Sequence, residues 1–452
     1  MVVGFGALDG LVRTAAAAPA AATAGPGDGG YGPLVPITRQ DPETGFSHEL
    51  LLPEGFEFAI LGLAGTTMAD GHVTPLGHDG MAAFRGPRGS YRLVRNHEER
   101  TGAGSVTPSG DPADRYDSLG GGGTSTLQVR FRRGQVELER VWTSLAGTIV
   151  NCAGGLTPWG SWLTCEETTA GLAAGWQKPH GYVFDVDAAA DRPVPPTPLP
   201  ALGRFVHEAV AVDPATSIVY LTEDQGTAGF YRFVPQRSGD LTAGRLQMLK
   251  IVGVDGYDAR TGQEQGAALP VEWVDIADPD PADAESDALA VFRQGAALGG
   301  ATFGRLEGCW FGNQSVYIVS TDGGEVGEGQ IWEYRPSRSP VRGEGTLTLV
   351  YESTDRAVLS FPDNLTVSPR GALLACEDTS RGNPQLVGIT LDGGTFPFGV
   401  NPRNDEWCGA TFSPDGKVLF ANLQGSTAGD PSRPDAPGLT VAIWGPWRSG
   451  AL

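Results

Sequence analysis

One short pattern recurs along this chain, and an internal repeat restricts a fold more tightly than composition does. A polar or cation-binding type of residue opens a short strand. A Pro or Asn turn follows, and then a second apolar strand that ends on acids. The clearest copies are NCAGGLTPWGSWLTCEE (151–167), HEAVAVDPATSIVYLTED (207–224), LEGCWFGNQSVYIVSTD (306–322), DNLTVSPRGALLACED (363–378) and EWCGATFSPDGKVLFANLQ (406–424). HDGMAAFRGPRGSYRLVRNHEE (78–99) is a weaker sixth copy. Turns such as Asp-Pro-Ala-Thr, Ser-Pro-Arg-Gly and Ser-Pro-Asp-Gly favour hairpins. Further strand-like segments follow, among them HGYVFDVD (180–187), GQIWEYRP (329–336) and LTVAIWGP (439–446).

Four-stranded units repeated around an axis make a propeller. The expected fold is therefore all-β, a six-bladed β-propeller with an axial metal site and long loop insertions. A β-sandwich competes, but it gives no reason for so regular a hairpin repeat. The copies are unevenly spaced, so insertions sit on loops. The largest, 236–300, is expected to cover one face of the channel. The 66 glycines and 34 prolines suit short strands and break long helices.

Residues 36–452 are expected to form one domain. Residues 1–35, with an Ala-rich run at 15–24 and several A-x-A sites, look like the remnant of an export signal or an unstructured Ala-Gly segment. No apolar run reaches the roughly 18 residues of a membrane span, so no membrane is expected in the mature form. The net charge of −21 argues against nucleic acid as a partner. A closed propeller needs no second copy, and a monomer is expected.

Aligning the copies on their turns gives the repeat a chemical content. Six places before Pro158, Pro214, Asn313 and Pro369 stand Cys152, Glu208, Glu307 and Asp363. Eight places before Pro87 and Pro414 stand Asp79 and Glu406. Strand side chains alternate with period two, so both offsets share a face. Equivalent blade positions ring the axis, which brings five carboxylates and one thiol together. Asn96, Glu167, Asp224, Asp322 and Asp378 then form a second layer at the strand ends, with Glu98, Glu99, Glu166, Glu223 and Glu377 beside them.

Carboxylates this close raise each other's pKa, and cations resolve the repulsion. Oxygen ligands favour calcium or magnesium, whereas a thiolate asks for a transition metal. The mixture suits iron beside calcium. The five cysteines, Cys152, Cys165, Cys309, Cys376 and Cys408, never fall in CxxC spacing. A disulfide framework or structural zinc site is not expected, and all but Cys152 read as buried thiols. His78, His97 and His207 each precede an acid and read as supporting or substrate-facing groups.

The chain resembles the PhoX-type alkaline phosphatases, which are exported through the twin-arginine pathway. NHEE (96–99), NCAGGLTPWGSWLTCEE (151–167), GRFVHEA (203–209), YLTED (220–224), RLE (305–307), DNL (363–365), CED (376–378) and EWCGATFSPDGKVLFANLQ (406–424) carry the likeness. The resemblance implies a cluster of Ca2+ and Fe3+ in the channel and hydrolysis of phosphate monoesters, with diesters as a second class. It implies Cys152 as the iron thiolate ligand. Glu208, Glu307 and Asp363 become iron or calcium ligands, with Glu98, Glu166, Glu167 and Glu406 as further ones. Arg305 binds phosphate oxygens, so Arg305, Glu307 and Cys152 form the catalytic set.

The same resemblance implies a small phosphorylated substrate, the twin-arginine export machinery as partner, and a periplasmic, cell-wall or extracellular location. Two departures stand out. Arg-Leu-Glu-Gly replaces the familiar Arg-Pro-Glu-Asp, and Cys408 stands where the family commonly has a small or polar residue. A calcium-dependent propeller lactonase or organophosphate hydrolase is the alternative enzyme. A non-enzymatic, calcium-stabilised binding propeller is the other alternative.

Overall fold

The computed structural model describes residues 27–337, 343–379, 382–425 and 437–452. Almost every regular element in them is a strand, joined by tight turns. Five hydrogen-bonded sheets are present among the described residues. Four of their edges are the strands His78–Arg85, Asn151–Leu156, Pro362–Val367 and Trp407–Phe412. The nine-stranded sheet supplies two more such edges, His207–Val212 and Leu306–Gly312.

These six strands pack on one another in cyclic order, and the last returns to the first. That closed cycle is the propeller's inner wall. The sheets number fewer than the inner strands for a local reason. Ala268–Asp275 pairs with both Asp240–Ile251 and Gly345–Glu352 and fuses two neighbouring units. The ring is closed by a strand from the start of the chain. Glu57–Leu61 pairs antiparallel with Leu439–Trp444, Leu61 opposite Thr440. Closure of this kind covers an edge that would otherwise invite aggregation.

Apolar residues fill the spaces between sheets. Leu61, Met81, Leu93, Leu127, Phe420 and Ala442, for example, pack the first unit against the last. Each fully buried aliphatic or aromatic side chain contributes about 1.5–3 kcal/mol. Such burial fixes the walls on which the channel residues stand.

Two expectations need correction. The fold starts before residue 36. Tyr31 is buried against Phe56 and Phe398, and its hydroxyl donates to the carbonyls of Trp447 and Leu452. The segment 236–300 is not loop throughout. Much of it is sheet, extended outward by Asp240–Ile251 and Ala268–Asp275, with one short helix, Ala290–Ala296. Residues 1–26, where an export signal was expected, lie outside the described residues. No described helix is long and apolar enough to cross a membrane.

Candidate metal centre in the channel

The inner strands share one irregularity. Their register against the second strand breaks between His78 and Met81, Asn151 and Gly154, and His207 and Val210. It breaks again between Leu306 and Cys309, Pro362 and Leu365, and Cys408 and Thr411. A bulge bends a strand and re-aims one side chain. Here the re-aimed residues are the ones that point to the axis.

A backbone bond repeated in all six units gives the alignment. Glu98 N–H donates to Gly77 O at 2.7 Å, Glu167 to Val150 O at 2.8 Å, and Asp224 to Val206 O at 3.1 Å. Thr321 donates to Arg305 O at 2.9 Å, Asp378 to Phe361 O at 3.0 Å, and Gln424 to Glu406 O at 3.2 Å. Two residues beyond each acceptor stand Asp79, Cys152, Glu208, Glu307, Asp363 and Cys408. The sixth ring position is therefore Cys408, and Glu406 stands two residues earlier, level with Arg305. Counting back eight places from Pro414 had put Glu406 in the ring.

Small residues follow in most units, and they close the channel below the ring. A Cβ on Gly80 would lie 2.5 Å from Ala153 Cα, and one on Gly308 the same 2.5 Å from Asp363 O. Only glycine allows the backbones to approach this closely.

The ring converges as the repeat implied. Potential ligand atoms lie within 4.8 Å of one another in five overlapping groups. They are Asp79–Glu98–Cys152, Cys152–Glu167–Glu208, Glu208–Glu307–Asp363, Asp363–Asp378–Glu406 and Asp79–Glu406–Cys408. The groups share members and so run around the whole channel.

Burial pushes the carboxyl groups of Asp79, Glu208 and Glu307 well above their ordinary range, and neighbouring carboxylates push them further. Asp363 rises to about 8 for the same reasons, with Asp378 its chief repulsive neighbour. Burial and the Asp79 carboxylate likewise hold the Cys152 thiol protonated. Asp79 Oδ1 and both Glu208 oxygens are buried without a conventional hydrogen-bond partner. The Cys152 thiol lies close enough to Glu208 to offset part of that carboxyl's rise. Unpaired buried carboxylates are costly, and cations remove that cost. This donor set of many oxygens and a thiol fits hard cations together with a transition metal.

Two arginines stand among the acids. Arg305 makes a fork to Asp224, with Nε and Nη2 both at 3.0 Å, and also donates to Glu307. Burial opposes its charge, but Glu307 and Asp224 keep it firmly protonated. Its side chain is 36% exposed, so the guanidinium faces the mouth of the channel. Its backbone is left-handed, with φ of 37°. Val150 and Phe361, at the equivalent place in their own units, share that conformation with φ of 47° and 48°. Arg100 pairs with Glu98 and, at 2.6 Å, with Glu167.

Glu166 does not join the ring. Its carboxylate accepts from the Ile149, Gly181 and Tyr182 amides at 2.9–3.2 Å and lies 2.6 Å from His180 Nδ1. Glu223 and Glu377 do the same work in their units, accepting from Gly229 N and from Ser360 N and Gln385 N. In these three acidic pairs the first residue braces the turn and the second faces the channel, whereas in Glu98–Glu99 the first faces the channel. The period of two allows either member to face inward, and the sequence carries no mark of which.

Asp224 and Asp378 were expected in the second acidic layer but not as ion ligands, and Arg100 and Cys408 were not expected at the centre. The paired acids pointed to the first two, whereas Arg100 had no signal beyond its place after NHEE. The histidines face no substrate. His78, His97 and His207 are fully buried, and His207 Nε2 lies 2.9 Å from Gly203 O. Thr321 holds the backbone position expected of Asp322 in the second layer.

Asn96, also expected there, has another role. Its amide donates to Cys152 O at 3.0 Å and Ala153 O at 2.7 Å, and it accepts from Trp162 Nε1 at 2.8 Å. Thr222 reaches Glu307 O and Asn422 reaches Asp79 O in the same way. These side chains tie one unit to the ring residue of the next. Asn96→Leu is expected to cost about 2–4 kcal/mol, because it strands two buried carbonyls and an indole N–H. Urea midpoints of the two proteins measure it.

Over residues 29–427 the chain matches the family described as alkaline phosphatase PhoX. It is similar in structure to Pseudomonas fluorescens PhoX in complex with vanadate, a transition state analogue. That likeness has a TM-score of 0.70 at 20% identity and covers 89% of this chain and 97% of the other. The gluconolactonase XC5397 from Xanthomonas campestris aligns at 13% identity over 92% of this chain and 98% of its own, with a TM-score of 0.41, too low for comparison. No curated protein matches the chain in sequence. Propeller fold, converging acids and family match agree, and the chain belongs to the PhoX family of alkaline phosphatases.

Proposed function

We propose that this phosphatase is exported, acts as a monomer, and hydrolyses phosphate monoesters at a calcium- and iron-containing centre in its channel. The observation that carries the reading is the closed set of buried carboxylates around Cys152, with both Glu208 oxygens and Asp79 Oδ1 lacking a conventional hydrogen-bond partner. Cys152, Glu208, Glu307, Asp363, Glu98, Glu167 and Glu406 would hold the ions, joined by Asp79 and Asp378. Bound there, such ions polarise a phosphoryl group and lower the pKa of water.

The protein's own part is binding and orientation. Arg305, with a planar fork aimed at the channel mouth, suits two oxygens of a phosphoryl group. Asp224 and Glu307 hold that fork in place. Arg100 does not meet substrate in this reading, because Glu98 and Glu167 occupy it. Its charge offsets theirs. The vanadate held by the Pseudomonas fluorescens relative is a phosphoryl mimic and favours the same use of this channel. The resemblance to exported phosphatases and the Ala-rich start of the chain support export.

Hydrolysis of p-nitrophenyl phosphate at alkaline pH is the expected activity. A chelator should abolish it and added calcium should restore it. Elemental analysis of the purified protein should find iron with calcium. Calcium alone would remove iron from the proposal, and no metal at all would overturn it.

A further inference from the structure

Three of the five thiols belong to apolar clusters. Cys165 packs with Leu163 and Phe205, Cys309 with Ile318 and Trp332, and Cys376 with Leu374 and Leu386. Cys152 and Cys408 are equally buried but lie in none of the clusters among the described residues. A cysteine that fills a core has apolar neighbours. These two have acids.

The six-fold backbone pattern explains why. Cys408 stands two residues after Glu406 O, which accepts from Gln424 N, as Cys152 stands two after Val150 O, which accepts from Glu167 N. Both thiols are thus ring residues of their units, followed at the axis by Ala153 and Gly409. Asp79 is in reach of both and belongs to a group with each of them. Its Oδ2 is committed, since Cys152 Sγ lies 3.6 Å away and Gln424 Nε2 3.2 Å away. Its Oδ1 is fully buried and has no partner.

We propose that Asp79, through Oδ1, together with Glu406 and Cys408, forms a second thiolate-bearing metal position that shares Asp79 with the position at Cys152. The inference rests on the reading of the channel as a metal centre. It adds that the ring offers a second thiolate, at Cys408, beside the one at Cys152. A thiolate beside two carboxylates selects a borderline or soft ion over calcium. Without an ion, the Cys408 thiol donates to His78 O, with sulfur and oxygen 3.0 Å apart. Metal binding breaks the S–H bond, the sulfur keeps its electron pair to form the metal–sulfur bond, and the proton leaves to solvent. No electron is transferred.

Cobalt(II) added to the chelator-stripped protein tests this, because each cobalt–thiolate bond gives a near-ultraviolet charge-transfer band. Cys408→Ser and Cys152→Ser are each expected to lose about half of that absorption, and the double variant all of it. Cys309→Ala, from an apolar cluster, should leave it unchanged.

If Cys152→Ser removes the whole band and Cys408→Ser none, the second position is overturned while the metal reading stands. If the unmodified protein takes up no cobalt, the metal reading itself falls. Cadmium-113 resonances of the unmodified, cadmium-loaded protein need no variant. Two sulfur-shifted signals support the proposal, and a single one overturns it.

Discussion

Glu208→Gln is expected to abolish phosphatase activity and, at the same time, to stabilise the metal-stripped protein. The two effects have one origin. Glu208 is fully buried, neither of its oxygens has a conventional partner, and it lies within 4.8 Å of ligand atoms on Cys152, Glu167, Glu307 and Asp363. With cations present, its charge is part of what holds them. Losing it should lower kcat by about 10^3-fold, as when a group that stabilises transition-state charge is removed.

Without cations the same carboxyl group is a liability, because folding must return to it a proton that the unfolded chain has released. An amide of equal size removes it and can donate to the acids around it. A gain on the order of 1–3 kcal/mol is expected in the stripped state. Melting curves with chelator and with calcium measure both signs. If Glu208→Gln destabilises the stripped protein, Glu208 is a structural acid rather than a ligand.

The same carboxyls set the pH dependence of the stripped protein. Folded Asp79, Glu208, Glu307 and Glu167 keep protons well above the ordinary carboxylate range, and Asp363 does so to about 8. The unfolded chain releases those protons near pH 4. Between about pH 4 and 8 the folded state therefore binds more protons, and stability falls as pH rises. Urea midpoints across that range should decline with chelator present. Calcium should flatten or reverse the decline, since cations bind the deprotonated ring.

Much of this centre was legible in the chain because a propeller repeats its geometry. Turn prolines and a period of two were enough to bring Cys152, Glu208, Glu307, Asp363 and Asp79 to one ring. Legibility ended where the turns differ in length. The count of eight that suits Asp79 before Pro87 fails in the last unit, where Cys408 stands six places before Pro414, and no residue type announces which count applies. Within pairs such as Glu166–Glu167, the choice of which acid faces inward belongs to tertiary contacts, His180 and the amides of Gly181 and Tyr182. Tyr31 shows the same limit at the chain's start. A lone aromatic in a Gly-rich stretch gives no sign that Phe56 and Phe398 will bury it.

Arg305→Ala should separate substrate binding from the metal centre. Arg305 touches Asp224 and Glu307, and it is the more open end of that network. Its left-handed backbone costs about 1–3 kcal/mol. It is held by its own N–H donating to Gln225 O and its carbonyl accepting from Thr321 N, at 2.8 and 2.9 Å.

Asp224 and Glu307 fix the direction of the guanidinium, which matters if it must meet phosphoryl oxygens. Removing it should lower kcat/KM by about 10^2–10^3-fold while leaving metal content unchanged. Inhibition by vanadate or inorganic phosphate should weaken in parallel. Arg305→Lys should recover only part of the loss, because an ammonium cannot bridge two oxygens as the planar fork does. Should Arg305→Ala lower the melting temperature but leave kcat/KM and vanadate inhibition intact, Arg305 is only the counter-ion of Asp224 and Glu307. Substrate oxygens would then have to be held by the bound ions alone.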